Sequence, residues 1–140
     1  IIIGSDHAGF AAKEELKSYL LFKGMEVTDA GCYSEESVHY PVYAKKVASA
    51  VSEGKFKRGI LICGTGIGMS MVANKFKGVR AALCHNAFTA TASREHNDAN
   101  ILCLGARVLD WPQIQEIVDL WLSTEFAGGR HAERIAMFEA

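Results

Sequence analysis

The sequence has little of what marks nucleic-acid binders, membrane spans and disulfide scaffolds. Fifteen Lys and Arg stand against sixteen Asp and Glu, a net charge of −1. No electrostatic footprint therefore favours nucleic acid or an anionic membrane surface. No apolar run approaches ~18 residues, the length of a membrane span, and the start shows no signal-peptide pattern. The expectation is a cytoplasmic protein with no nucleic-acid and no membrane partner. The four cysteines, Cys32, Cys63, Cys84 and Cys103, form no Cys-x-x-Cys pair and no metal-ligand spacing. That excludes the usual thiolate metal sites, predicts no bound metal and no cofactor, and suits reduced thiols in the cytosol. There is no repeat, low-complexity tract or linker, so the 140 residues are expected to form one domain, 1–140.

What is present is an alternation of strand and helix signals. Ile1–Ser5 reads as a first strand and Phe10–Phe22 as an amphipathic helix closed by Gly24. In that helix Phe10, Leu16, Leu20 and Leu21 are expected inside, with Lys13, Glu14 and Lys17 outside. Met25–Asp29 reads as a second strand, followed by a polar loop around Ser34–Ser37. A helix opened by Pro41 runs to about Glu53, with Gly54 just past its end. Next come a strand at Gly59–Cys63, a helix at Ile67–Phe76 and a strand at Val79–Cys84. A helix near Ala87–Glu95 and a fifth strand at Asn100–Leu104 follow. Asp110 caps a helix that runs to Leu122, and a last helix starts at Arg130. This order predicts an α/β chain: a three-layer α/β/α, Rossmann-like fold with a five-stranded parallel sheet.

The segment Gly59–Lys75, Gly-Ile-Leu-Ile-Cys-Gly-Thr-Gly-Ile-Gly-Met-Ser-Met-Val-Ala-Asn-Lys, is the most informative. A buried strand breaks into Gly64, Gly66 and Gly68 and resumes as a helix. Such a turn leaves backbone N–H groups unpaired and aimed at one point, beside the positive end of the helix dipole. Cys63 stands at the strand's end in that field, a setting that makes thiolate available near neutral pH. The same donors suit an oxyanion formed on a substrate. Three familiar loops do not fit. The third glycine comes one place early for the dinucleotide fingerprint. No Gly-Lys-Ser/Thr follows for a P-loop. Met69 stands where a cysteine phosphatase has its Arg. A glycine turn that packs a helix over an inert, buried Cys63 is the competing local reading.

Ligands of parallel sheets bind at the carboxyl ends of strands. That rule puts Ser5-Asp6-His7, Cys63–Met69 and Cys84-His85 on one edge. Glu95-His96-Asn97-Asp98 precedes the fifth strand and is expected at the opposite edge, where a second subunit would have to bring it to the site. Locally, Asp6 also reads as a helix cap with His7 on the surface, and His96-Asn97 as a helix end. His39 and His85 read as loop histidines. Arg130 and Arg134, four apart with His131 beside them, would stack on one helix face as a phosphate clamp. A solvated helix with Glu133 neutralising one Arg is the alternative.

Four segments occur together and in order: Gly-Ser-Asp-His-Ala-Gly-Phe, Cys-Gly-Thr-Gly-Ile-Gly-Met-Ser, Ser-Arg-Glu-His-Asn-Asp-Ala-Asn and Gly-Gly-Arg-His-Ala-Glu-Arg-Ile. Tyr40-Pro41 and Gly105-Ala106-Arg107 accompany them. In these the chain resembles the B-type ribose-5-phosphate isomerases over nearly its whole length. That superfamily also holds allose-6-phosphate and galactose-6-phosphate isomerases. The resemblance implies a metal-independent aldose–ketose isomerase of the pentose phosphate pathway that works through an enediolate. It makes Cys63 the base between C1 and C2 and gives Thr65 a part in proton transfer at the sugar oxygens. The N–H groups of Gly64, Gly66, Ile67 and Gly68 hold the enediolate oxygen. His96, aided by Asp6, opens the furanose ring. His7, Arg107, Arg130, His131 and Arg134 surround the phosphate, while Asn97 and Tyr40 line the sugar. The implied partners are a phosphorylated pentose and further copies of the chain, in a homodimer or dimer of dimers. The helix at about 130–140 would close the phosphate site or the dimer interface.

Cys63, with Met69 where other members carry Glu, marks the cysteine-using branch, and His96-Asn97 disfavours the galactose-6-phosphate subunits. Allose 6-phosphate isomerisation is the alternative within the superfamily. Outside it stands a non-catalytic module that binds phosphosugars or nucleotides.

Overall fold

The computed structural model describes residues 1–139. Five strands, β1 (Ile2–Ser5), β2 (Thr28–Asp29), β3 (Gly59–Cys63), β4 (Ala81–Leu83) and β5 (Ile101–Gly105), form one parallel sheet in the order β2-β1-β3-β5-β4. The helices are α1 (Phe10–Phe22), α2 (Tyr40–Ser52), α3 (Ile67–Ala73), α4 (Ala87–Glu95), α5 (Trp111–Ser123) and α6 (Arg130–Ala136). The expected α/β class and five-stranded parallel sheet are observed.

The central strands are apolar on both faces because helices cover both. Ile60 and Ile62 of β3 join Leu102 and Leu104 of β5 against Leu16 and Leu20 of α1, Ala90 of α4 and Ile114, Val118 and Trp121 of α5. The alternate residues, Leu61, Cys63, Ile101 and Cys103, face Ala44, Val47 and Ala48 of α2 and Met69 and Ala73 of α3. The period-2 alternation of strand side chains thus sorts one apolar run into two cores. It also aims Cys63 toward the α2–α3 side. The loop before α5 has the expected cap: Asp110 accepts the Gln113 N–H at 2.9 Å, and Pro112 lies in the first turn.

Several expectations are corrected. Lys13, expected outside, is fully buried, while Leu21, expected inside, is 53% exposed. The cause is Asp29, whose carboxylate accepts hydrogen bonds from Lys13 Nζ at 2.7 and 2.8 Å and from Lys17 Nζ at 2.9 Å. Charge pairing turns that helix face inward, and a helix period alone does not register a partner 16 residues away. The second strand keeps only Thr28–Asp29 of Met25–Asp29, pairing with Ile2 and Ile3 alone. β4 is Ala81–Leu83, not Val79–Cys84, and α3 ends at Ala73 instead of Phe76. Cys84-His85 does follow β4, but β4 is the sheet's margin, separated from β3 by β5.

Candidate active site

The strand order reverses between β1 and β3, which open toward opposite margins, and ligand crevices in such sheets lie there beyond the carboxyl ends. Asp6 and Cys63 end these two strands side by side, joined by the Asp6 N–H bond to Ile62 O at 3.2 Å. Cys63 is 6% exposed, and its Sγ accepts the Gly66 N–H at 3.1 Å. Gly66 reaches that position with φ +79°, where a Cβ would lie 2.6 Å from Leu83 and 2.9 Å from the Leu104 carbonyl carbon. Any side chain there would move the donor off the sulfur. The Thr65 hydroxyl accepts the Ile67 N–H at 3.2 Å, which leaves its own hydrogen free to donate outward. In the first turn of α3 the N–H groups of Gly68 and Met69 have no carbonyl partner among the described residues, as helix geometry dictates. A thiolate near unpaired donors can take a proton from carbon while the donors hold the resulting oxyanion.

The neighbours of this turn come from four elements. Asp6 is buried and accepts the Gly9 N–H at 3.0 Å, so it closes the turn before α1 as well as lining the edge; the N-cap position itself is Gly9, with no side-chain cap bond. His7 accepts the Val38 N–H through Nδ1 at 3.1 Å. Its neutral form therefore carries the proton on Nε2, a donor directed by the 32–38 loop. Tyr40, at the start of α2, lies over Gly68 so closely that a Cβ there would meet its ring at 2.6 Å. Arg107 donates its N–H to Gly64 O at 2.9 Å, and its side chain runs along Gly64 with the guanidinium unpaired among the described residues. Met69 is fully buried in the α2–α3 core, as its apolar side chain requires.

The remaining candidates lie elsewhere. Gly59, at the amino end of β3, donates to Asn100 O at 2.9 Å, so the turn carrying His96 and Asn97 flanks that end. His131 of α6 stacks on His96 with ring centroids 4.4 Å apart and planes 17° apart. Partial loss of solvent, then the His96 ring and the Arg130 and Arg134 guanidiniums, hold the His131 imidazole below the ordinary histidine range, against the pull of Glu95. Arg130 and Arg134 are exposed and make no ion pair among the described residues, so Glu133 does not neutralise either. A cavity of about 680 Å³ opens beside Asn97, between the 74–82 segment and Phe138.

One subunit thus divides its candidates between two ends of the sheet. Asp6, His7, Tyr40, Cys63–Gly68 and Arg107 meet at the carboxyl edge. His96, Asn97, Arg130, His131 and Arg134 meet at the amino edge. Four strand steps of ~3.3 Å put roughly 13 Å of β3 between the edges. His39 caps α2 without a side-chain bond, and His85 is exposed before α4. Cys103 and Cys84 are buried, which pushes both thiols up and away from reactivity. Sequence reasoning missed Arg80 and Asp98, which hold the His96 turn. The one available signal was the i, i+4 spacing of Arg94 and Asp98. Among the described residues no group of three or more His, Cys, Asp or Glu is placed to hold a metal ion.

A family model described as ribose/galactose isomerase matches residues 1–138. Ribose-5-phosphate isomerase B of Escherichia coli is 46% identical over 140 residues, covering 100% of this chain and 94% of that protein. The structure of Clostridium thermocellum ribose-5-phosphate isomerase B superposes with a TM-score of 0.97 at 52% identity, covering 99% of this chain and 93% of that one. That of Mycoplasma genitalium ribose-5-phosphate isomerase B with bound ribulose 5-phosphate gives 0.94 at 42% identity, covering 99% and 92%.

Proposed function

The chain belongs to the ribose/galactose isomerase family, and from that premise we propose that it interconverts D-ribose 5-phosphate and D-ribulose 5-phosphate through an enediolate. One observation carries the reading most directly: Cys63 Sγ is held by the Gly66 N–H at 3.1 Å beside the unpaired donors of the α3 first turn. Aldose–ketose isomerisation needs a base that reaches the C1–C2 face and donors for the oxygen that becomes negative. Cys63 is the base. The Gly64–Gly68 backbone, Ile67 included, steadies the enediolate oxygen, and Thr65 relays protons at the sugar oxygens. Tyr40 and Asn97 flank the sugar.

A furanose must open before C2 becomes acidic enough for Cys63. His96 exchanges the proton at the ring oxygen, since imidazole suits such transfer near neutral pH, and Asp6 supports it. The phosphate lies among His7, Arg107, Arg130, His131 and Arg134, where guanidinium forks match its oxygens. Because His96 and the α6 arginines stand at the far edge from Cys63, each site takes its amino-edge half from a second copy. The chain is accordingly a homodimer at least, a single sugar-phosphate isomerase domain per copy, with α6 closing the phosphate side. Among the described residues no helix is long and apolar enough to cross a membrane, and the cytoplasm, where pentose phosphates turn over, is the proposed location.

The test is solvent deuterium incorporation at C2 of ribose 5-phosphate by purified protein, with allose 6-phosphate run alongside. Exchange with the pentose supports the reading, and exchange with the hexose alone moves the substrate to allose 6-phosphate. Exchange with neither leaves a binding module without chemistry.

A further inference from the structure

The turn that carries His96 and Asn97 passes into β5 through Asp98, whose φ of +47° is the one positive value at a non-glycine among the described residues. That backbone region is costly for any side chain, least so for Asp and Asn, and persists where surroundings enforce it. Here two arginines from different elements close on the same residue. Arg94 Nη1 donates to Asp98 Oδ1 at 2.9 Å and to Ala99 O at 2.6 Å, and Arg94 is 6% exposed. Arg80, just before β4, donates from Nε to Asp98 O at 2.9 Å and from Nη2 to Oδ2 at 3.4 Å. Asn100 completes the clasp by accepting the Arg80 N–H at 2.8 Å. Among the described residues Asp98 is the single carboxylate on the wall of a cleft of about 390 Å³ that also carries Lys57, Arg58, Arg80 and Arg94. Its charge therefore also offsets the repulsion among these cations.

Arg80 has a second attachment. Its Nη1 donates to Glu139 Oε1 at 3.0 Å, in the segment directly after α6. The segment before α6 is tied to the same region, since the Ala127 N–H bonds Glu95 O at 3.0 Å. One guanidinium thus touches both the turn that aims His96 and Asn97 and the segment that anchors Arg130, His131 and Arg134. We propose that Asp98 and Arg80 are positioning residues of the isomerase, Asp98 fixing the angle of the ring-opening His96 and Arg80 coupling that angle to the phosphate-gripping α6. The proposal rests on the isomerase reading above. Neither residue contacts the reacting atoms. The pair acts by holding two groups of side chains in one geometry, and small misplacement of positioned groups is expensive in rate.

Asp98→Asn keeps the tolerance for positive φ and the side-chain shape but removes the charge. It is expected to lower turnover of ribose 5-phosphate about 10-fold or more. Solvent exchange at C1 of ribulose 5-phosphate, which enters without ring opening, should change less than about 3-fold. Glu139→Gln releases only the α6 end, so KM and the inhibition constant for inorganic phosphate should rise about 3–5-fold while kcat holds. Should Asp98→Asn fail to fold, Arg80→Lys keeps the charge, loses the fork and should show both effects together. The proposal is overturned if these variants melt earlier yet keep the wild-type ratio of turnover to exchange and the wild-type phosphate inhibition. Wild-type protein that neither turns over ribose 5-phosphate nor exchanges ribulose 5-phosphate would instead overturn the isomerase reading itself.

Discussion

At the carboxyl edge of the sheet the machinery is largely backbone. Cys63 is 6% exposed, its hydrogen bond comes from a main-chain N–H, and its neighbours are glycines packed to contact with Tyr40, Leu83 and Leu104. At the amino edge the machinery is side chain. His96, Arg130 and Arg134 are exposed, α6 buries no residue, and the ordering comes from a few arginine hydrogen bonds. In the proposed reaction the first half has only to hold an oxygen and a sulfur at fixed distances, which a strand end and a helix start do without flexible parts. The second, in the same proposal, receives a phosphate and a closed sugar. In the proposed dimer one half is built by folding, the other by assembly. The same difference separates what substitutions should do at each end.

The largest effect is expected at the buried half. Cys63→Ala should leave the fold nearly intact and lower kcat on the order of 10²–10⁴-fold, the usual contribution of a positioned general base. Cys63→Ser should be almost as inactive, since a hydroxyl is a far poorer base near pH 7. Near-normal turnover by the serine variant would send the proton elsewhere.

The same edge rests on an internal charge pair, and this gives a pH dependence. Asp29 accepts from Lys13, Lys17 and the Gly31 N–H, and the Gly31 carbonyl in turn accepts the Ser5 N–H beside Asp6. Burial alone would raise the Asp29 carboxyl, but these partners outweigh it and hold it below the ordinary carboxylate range. A depressed carboxylate adds stability that is complete above its unfolded value, about 3.9, and is lost as pH falls through the folded value. Stability to urea should therefore fall steeply below about pH 4 in wild type and less so in Asp29→Asn. The variant should also lose about 3 kcal/mol at neutral pH, because the fully buried Lys13 keeps only Glu14, at 3.0 Å, as a carboxylate partner. Equal acid slopes in the two proteins would remove Asp29 from this account.

At the exposed half, changes should act on binding and leave the fold alone. Arg130→Ala or Arg134→Ala should cost about 1.5–3 kcal/mol, read mainly as a rise in KM. Melting temperature should stay put, because neither side chain makes an ion pair among the described residues. Undiminished inhibition by inorganic phosphate in the double variant would count against the clamp.

A smaller effect sharpens the comparison within the buried half. Gly68→Ala would press a methyl into the Tyr40 ring at 2.6 Å. Overpacking of this kind costs about 1–3 kcal/mol unless the ring yields. Tyr40 is 39% exposed and has room to swing, so the expected outcome is a weakened KM with little loss of melting temperature. A large drop in melting temperature would mean that Tyr40 is part of the core.

The buried half was also the more legible in the sequence. An apolar β-branched run, spaced glycines and a resumed helix are local signals, and they placed β3, the turn and α3 within a few residues. The amino-edge half was legible as residue types, with His96-Asn97 and the Arg130–Arg134 pair, and its location followed from preceding a strand. What held it was not legible. The Arg80–Asp98 and Lys13–Asp29 bonds join residues 16 to 18 apart in sequence. Lys13 read as outward-facing, and Arg80 and Asp98 drew no role, because periodicity carries no record of a distant partner. The short β2 has the same origin: its apolar start met only a two-residue register on β1.

The account stands or falls on whether the two edges meet across two copies of the chain. Cys63→Ala and His96→Ala chains, each inactive alone, can be unfolded together, refolded and assayed on ribose 5-phosphate. Random pairing makes half of the dimers hybrids, each with one site free of both substitutions, so activity should return to about a quarter of wild type. A mixture that forms hybrid dimers yet stays as inactive as its parents would mean that Cys63 and His96 never share a site across subunits.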